Sequence, residues 1–257
     1  MKIIIIASAS NSTNILYNSL SKKFTIQSVF IEKRIGKLSF LKIRYKKVGL
    51  FRLLDQIIFI SLFNKFLNIF SINRINNLIK FYNLSSNEIP LNIIKNIDSI
   101  NSDSSIDLIR KNNSDIIIVS GTRIISSKLI NCCDSKIVNI HAGITPRYRG
   151  VHGAYWAIVN NDSKNAGVTL HFVDKGIDTG EIISQSTIEI ESKDNFSTYS
   201  VIQLSKGIDL LISFLNDNGL TKKLNNSLSN KLEKSKQWYH PGFFEYLFNY
   251  FFISHFG

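Results

Sequence analysis

The sequence predicts an α/β fold in which a mostly parallel central sheet is flanked by helices. Two features carry that expectation. Short runs of β-branched residues, such as residues 3–7 and 115–120, have the length and composition of buried strands. Stretches that read as helices separate them, and this alternation is what parallel connections require. At 257 residues, 44% of them hydrophobic and 19% charged, the chain can bury a core as one large domain or a domain with an appendage.

Residues 3–7 open the sheet. Residues 10–14 form a polar turn that caps a helix beginning near Ile15, and residues 25–31 give the second strand. A basic stretch follows over residues 32–48 (Lys33, Arg34, Lys37, Lys42, Arg44, Lys46, Lys47) and runs into an apolar segment, residues 48–81. Arg52, Asp55, Gln56, Asn64, Lys65 and Asn68 interrupt that segment too often for an uninterrupted membrane span of about 20 apolar residues. Two amphipathic helices packed on the sheet are expected instead, and a membrane-surface role stays open. After a turn at residues 85–90 come a short strand near 91–94, a helix over 104–111, the strand 115–120 ending at Gly121 and a short helix over 126–130. Strands at 136–140, 167–173 and 181–189 complete the pattern. The division is residues 1–205 as the main domain, with a helical insertion at about 32–82, and residues 206–257 as a helical, aromatic-rich extension.

The 31 Lys+Arg against 19 Asp+Glu give a net charge of +12. That excess suits phosphates, nucleotides, nucleic acid or a membrane surface without choosing among them. Heavy use of Ile, Asn, Lys and Ser fits an AT-rich genome, which weakens any argument from charge alone. Cys132 and Cys133 are adjacent, a poor geometry for a disulfide, and no zinc-ligand spacing exists. No metal is expected, and a reducing cytoplasm is the natural compartment. The apolar run at the start is too short for a signal peptide and reads as the first strand.

The chemistry lies between Ser120 and Gln185. Asn139 and His141, two apart at a strand end, emerge on one face. One offers an amide N–H; the other can donate or accept a proton near neutral pH. Such a pair can hold a developing oxyanion and manage a proton, as acyl transfer to an amine needs. Asp178 sits in a turn between Gly176 and Gly180, where a carboxylate near His141 would favour its charged form and help remove the amine's proton. No Ser or Cys stands in an activating context, so direct transfer is the simpler chemistry. Alone, an Asn-x-His pair is an ordinary capping pair and Gly-x-Asp-x-Gly an ordinary turn. Their order, with Pro146-Arg147-Tyr148-Arg149-Gly150 between them, is the stronger signal.

On these motifs the chain resembles the folate-dependent formyltransferase family, which includes glycinamide ribonucleotide transformylase, the catalytic domain of methionyl-tRNA formyltransferase and the sugar N-formyltransferases. The resemblance covers roughly residues 110–195 and implies a Rossmann-like formyltransferase fold, with residues 1–205 as the catalytic domain. It implies Asn139, His141 and Asp178 as the catalytic set and 10-formyltetrahydrofolate as co-substrate. It further implies that the folate lies between Thr122, Arg123, Ile124 and Ile125 on one side and the loop with Val173, Gly176 and Ile177 on the other. His152 and His171 also match histidines of the purine-pathway members and read as supporting or packing residues.

Departures from the family pattern narrow the acceptor. Ala142-Gly143-Ile144-Thr145-Pro146 follows His141 where Pro-Ser-Leu-Leu-Pro is common, which looks closer to the sugar-modifying members. Serines stand in the loop after the first strand where the purine enzyme has phosphate-binding glycines, although Asn11, Ser12 and Thr13 can still bond a hydroxyl or phosphate. Arg147, Tyr148 and Arg149 are candidates for touching an acceptor diphosphate. Too few residues follow Lys206 for the nucleic-acid-binding barrel of the tRNA enzyme, and the charge is not interleaved with aromatics. The expected reaction is formyl transfer from 10-formyltetrahydrofolate to a primary amine, that of an amino-sugar nucleotide. Formylation of glycinamide ribonucleotide or methionyl-tRNA, a non-catalytic nucleotide- or folate-binding module, and a membrane-associated interaction protein are the alternatives. The aromatic run from Trp238 to Phe252 must pack on the domain, form a homodimer interface or rest on a membrane, placing the protein in the cytoplasm or at the inner membrane surface.

Overall fold

The computed structural model describes residues 1–217 and 235–252; residues 218–234 and 253–257 of the expected extension lie outside the described residues. In chain order the first half comprises β1 (Ile3–Ser8), α1 (Asn11–Ser21), β2 (Ile26–Glu32), α2 (Lys37–Val48), α3 (Leu50–Ile58), α4 (Asn64–Phe70), α5 (Ile72–Phe81), β3 (Ile94–Ile97), α6 (Asp103–Lys111) and β4 (Ile116–Ser120). The second half comprises α7 (Ser127–Cys132), β5 (Lys136–His141), β6 (Arg149–Gly150), α8 (Gly153–Val159), β7 (Gly167–Phe172), β8 (Ile182–Thr187), α9 (Phe196–Asn216), β9 (Gln237–Trp238) and α10 (Phe243–Phe252).

Seven strands form one sheet in the order β3-β2-β1-β4-β5-β7-β8. β3 to β5 are parallel, and β7 and β8 join antiparallel. Unbroken isoleucine runs suit the centre because both faces are covered. Ile3, Ile5 and Ala7 pack with Leu16, Ile208 and Leu211 on one side; Ile4 and Ile6 pack with Ile106, Ile109 and Leu129 on the other. β4 alternates likewise, with Ile116 and Ile118 on the first side and Ile117 and Val119 on the second.

Several boundaries differ from the sequence reading. Ser10 accepts a hydrogen bond from the Thr13 amide, so the expected turn at residues 10–14 is the cap and first turn of α1. Residues Leu91–Ile93 form a 3₁₀ turn, and β3 begins only at Ile94. α8 and the start of α9, residues 196–205, fall where no helix is expected, and the rest of α9 falls in the expected helical extension. α9 is a 21-residue helix opened by a capping box at Asn195 and Thr198. Residue 206 lies inside this helix, and Ile208, Leu211, Phe214 and Leu215 beyond it belong to the core. Gly207 is needed for the close approach of α9 to the sheet, since a Cβ there would collide with Cγ2 of Ile140.

Residues 48–81 hold the two helices expected: α3, a π-helical turn (Phe59–Phe63) and α4 run as one helix, Leu50–Phe70, and α5 is the second. Phe59 and Leu78 of this insertion enter a third cluster with Tyr155, Trp156, Phe196 and Tyr246. The same cluster receives the chain's end. β9 pairs with β6, Trp238 stacks on Trp156 with ring centroids 4.7 Å apart, and Tyr246 of α10 packs on Phe59 at 5.3 Å.

Candidate active site

β5 projects Asn139 and His141 from one face at its carboxyl end, where ligands bind in open α/β sheets. The antiparallel pairing of β7 sets His171 directly opposite Asn139. Asp178 arrives from a later turn with φ +53°. Its Oδ2 accepts a hydrogen bond from the Gly150 amide at 2.8 Å and stands 3.3 Å from Nδ1 of His141; its Oδ1 is 3.7 Å from Nε2 of His171. Gly150 adopts φ +96°, and a Cβ there would strike the Trp238 backbone. Its amide can therefore bind Asp178 while β9 lies close alongside.

The carbonyl partners fix the ring protons. The Tyr148 carbonyl, 2.7 Å away, can only accept, so His141 carries its proton on Nε2 and turns Nδ1 to Asp178. The Phe172 carbonyl likewise takes the proton on Nδ1 of His171, and Nε2 of that ring accepts from Nδ2 of Asn139 at 3.1 Å. Burial lowers the pKa of His141 against the opposing pull of Asp178. For Asp178 burial works upward, but the two imidazoles beside it and the hydrogen bond from the Gly150 amide outweigh it and hold the carboxyl below its ordinary range. The neutral imidazole and the ionised carboxylate thus share a site in which one added proton would be held between them.

These groups face a cavity of about 720 Å³. Thr122, Arg123, Ile124 and Ile125 form one wall; Val173, Gly176 and Ile177 form another, with Asp178 beside them. Arg123 is anchored by an ion pair at 2.7 Å to Glu32, which is buried at the end of β2.

Asn11, Ser12 and Thr13 at the start of α1 separate. Ser12 lines the cavity, Asn11 is exposed off it, and Thr13 is buried with its hydroxyl donating to the Ser8 carbonyl. Arg147, Tyr148 and Arg149, expected to touch an acceptor, are engaged with partners within the chain. Arg147 and the Tyr148 hydroxyl both bind Asp162 at 2.9 Å, and Arg149 donates to the Ile177 carbonyl at 2.9 Å, bracing the Asp178 turn. None of the three lines the cavity.

The sequence reading missed Arg44 of α2 and Gln237, Trp238 and Tyr239 of the C-terminal segment, all of which line it. Nε of Arg44 donates to Gln56 at 2.8 Å, whose amide donates in turn to the His240 carbonyl at 2.6 Å. Nη2 of Arg44 is buried with no hydrogen-bond partner among the described residues. Burial lowers the Arg44 pKa, with Tyr239 opposing. Nδ1 of His240 and Nε2 of His152 share a hydrogen bond at 2.8 Å. No local motif marks these residues; Arg44 stood out only as one charge in a basic run.

The family described as formyl transferase matches residues 83–213. A methionyl-tRNA formyltransferase of Azobacteroides pseudotrichonymphae genomovar. CFP2 is 36% identical over 105 residues, 41% of this chain and 32% of that protein. Another, from Halothermothrix orenii, is 36% identical over 102 residues, 40% of this chain and 32% of the relative. The match spans about a third of the length of these relatives. Among solved structures, the chain resembles a sugar N-formyltransferase from Shewanella sp FDAARGOS_354 with a TM-score of 0.55 and 17% identity, covering 93% of this chain and 76% of that one. It also resembles a phosphoribosylglycinamide formyltransferase from Bacillus Halodurans with a TM-score of 0.53 and 20% identity, covering 88% and 98%. At such identities these likenesses show the fold.

Proposed function

Because the chain belongs to the formyl transferase family, we propose that it transfers a formyl group from 10-formyltetrahydrofolate to a primary amine, that of an amino-sugar nucleotide. The observation that carries the reading is the convergence of Asn139, His141, His171 and Asp178 on one cavity wall. The donor supplies the formyl group on a ring-linked nitrogen. A slot between the backbone of residues 122–125 and the loop 173–177, flanked by Val119, Ile124, Ile125, Val173 and Ile177, suits a flat heteroaromatic ring.

In this reading the amine nitrogen bonds to the formyl carbon as the bond from that carbon to the donor nitrogen breaks. Asn139 spends one amide N–H on His171 and offers the second to the charge growing on the formyl oxygen. Asp178 takes the proton leaving the amine and returns a proton to the departing nitrogen. His141, whose Nε2–H is held by the Tyr148 carbonyl, accepts at Nδ1 the proton that Asp178 has taken up and shares it with the carboxylate, so its role shifts from the oxyanion to Asp178. Arg44 supports a phosphate-bearing acceptor, its guanidinium being the cation on the wall contributed from outside residues 83–213.

A second reading, methionyl-tRNA as acceptor, is favoured by the names of the relatives matched in sequence. Purified protein incubated with 10-formyltetrahydrofolate and, in parallel, an amino-sugar nucleotide, glycinamide ribonucleotide and methionyl-tRNA distinguishes them by the added carbonyl mass. Mass gain on the sugar nucleotide is expected. Transfer to tRNA alone would replace the acceptor, and no transfer to any amine would remove the enzyme reading.

A further inference from the structure

The cavity leaves one large feature unexplained: the outer face of the insertion and of α10. Leu50, Leu54, Ile58, Leu62, Phe66 and Phe70 repeat at every fourth position along the helix Leu50–Phe70, and each is between 38% and 72% exposed. Phe51 and Ile69 flank the row and are exposed as well. Leu53 and Phe59 of the same helix are buried beside Gln56, so the helix has a packed face and a bare apolar one. An apolar face left bare in this way suits contact with lipid.

α10 lies beside it, tied by the Arg52–Glu245 ion pair at 2.8 Å and by Phe63 against Phe243 at 5.1 Å. Phe244, Phe248, Phe251 and Phe252 of α10 are all at least half exposed. The charge around this face is one-sided. Residues 37–81 hold nine lysines and arginines and one acid, Asp55, and Asp55 is taken up by the Phe244 amide. Lys42, Lys46, Lys47 and Lys65 are exposed. α2, which carries the first three, is joined to α3 through Arg44 and Gln56.

We propose that this face lies on an anionic phospholipid surface, with the row Leu50–Phe70 and the outer phenylalanines of α10 sunk into the headgroup–acyl boundary and the lysines of α2 on the lipid phosphates. The helix Leu50–Phe70 is long and apolar enough to cross a membrane, but its packed face holds it parallel to the surface: Phe59 is against Phe196, and Gln56 against the His240 carbonyl. Exposed lysines on α2 and a bare apolar strip on the helix joined to it suit a negatively charged leaflet, where each lysine near the surface adds about fivefold to binding. A second copy of the chain, equally positive, does not match in charge. The inference is independent of the acceptor.

The test is flotation of the full chain with phosphatidylglycerol–phosphatidylcholine vesicles and with phosphatidylcholine vesicles. Partition is expected onto the anionic vesicles, weakened by raised salt. The pair Leu62→Glu and Phe66→Glu should cut it about tenfold or more, as should the pair Lys42→Glu and Lys46→Glu. The lysine pair is solvent-exposed, so it keeps the test decisive should the first pair misfold. Turnover with a soluble amine should be unchanged in both, which separates loss of docking from loss of chemistry. The proposal is overturned if wild type stays with the soluble fraction, if both pairs bind as wild type, or if sedimentation equilibrium without lipid shows a dimer that Leu62→Glu and Phe66→Glu dissociate.

Discussion

The central strands and the insertion are both rich in apolar side chains, and they treat them differently. In β1 and β4 every isoleucine is buried, because helices cover both faces of the sheet. In the helix Leu50–Phe70 one apolar face is covered and the other is open. Each region also contributes to the cavity. The sheet delivers Asn139 and His141 from a rigid strand end, whereas Arg44 comes from the insertion and Trp238 and Tyr239 from the chain's end. The cavity thus combines side chains from a strand end with others from the insertion and the C-terminal segment, which meet in the third cluster.

The sharpest test of that division is Asp178→Asn. Turnover should fall by about 10²–10⁴-fold, the range for losing an acid–base group, with the far-ultraviolet circular dichroism unchanged. An equal loss from a substitution in the insertion would erase the distinction. Gly207→Ala probes the rigid side. Forcing a methyl against Ile140, between Asn139 and His141, should cost about 1–3 kcal/mol in denaturant unfolding, and an unchanged midpoint would mean that α9 is not pressed on β5 as described.

Arg44→Gln probes the other side. Losing one charge-assisted contact to an anionic acceptor should raise its KM by about tenfold or more while kcat moves little; a fall in kcat alone would assign Arg44 to the chemistry. The smallest effect concerns His152 and His240. Burial pushes His152 down to about 3 and His240 to about 4, with like charges adding to it. Since the unfolded chain binds more protons, their contribution is complete above about pH 6.5 and disappears as pH falls through about 4 and then 3. Both tryptophans, Trp156 and Trp238, stack beside this contact, so their emission should change over that window and stay flat above it.

Much of the sheet was legible because isoleucine runs bounded by turns have few other readings, and the site turns were legible because short motifs carry their own spacing. The start of α9 was not. The apolar side chains of this helix face the sheet, the insertion and the third cluster in turn, which blurs any single helical stripe. The pairing of Arg147 and Tyr148 with Asp162 was not legible, because sequence distance from His141 says nothing of the residue that binds both. Arg44 lies 95 positions before Asn139, and no local pattern can report a contact created by folding the insertion back over the sheet.

The pairing of β9 with β6 has a consequence for the order of assembly. Protein synthesis runs from the amino end, so the sheet and its polar cluster can form while Gln237, Trp238 and Tyr239 are still inside the ribosome. The enclosure around the reacting groups is finished only when these residues emerge. A nascent chain can therefore gather Asn139, His141 and Asp178 before the walls that face them are complete.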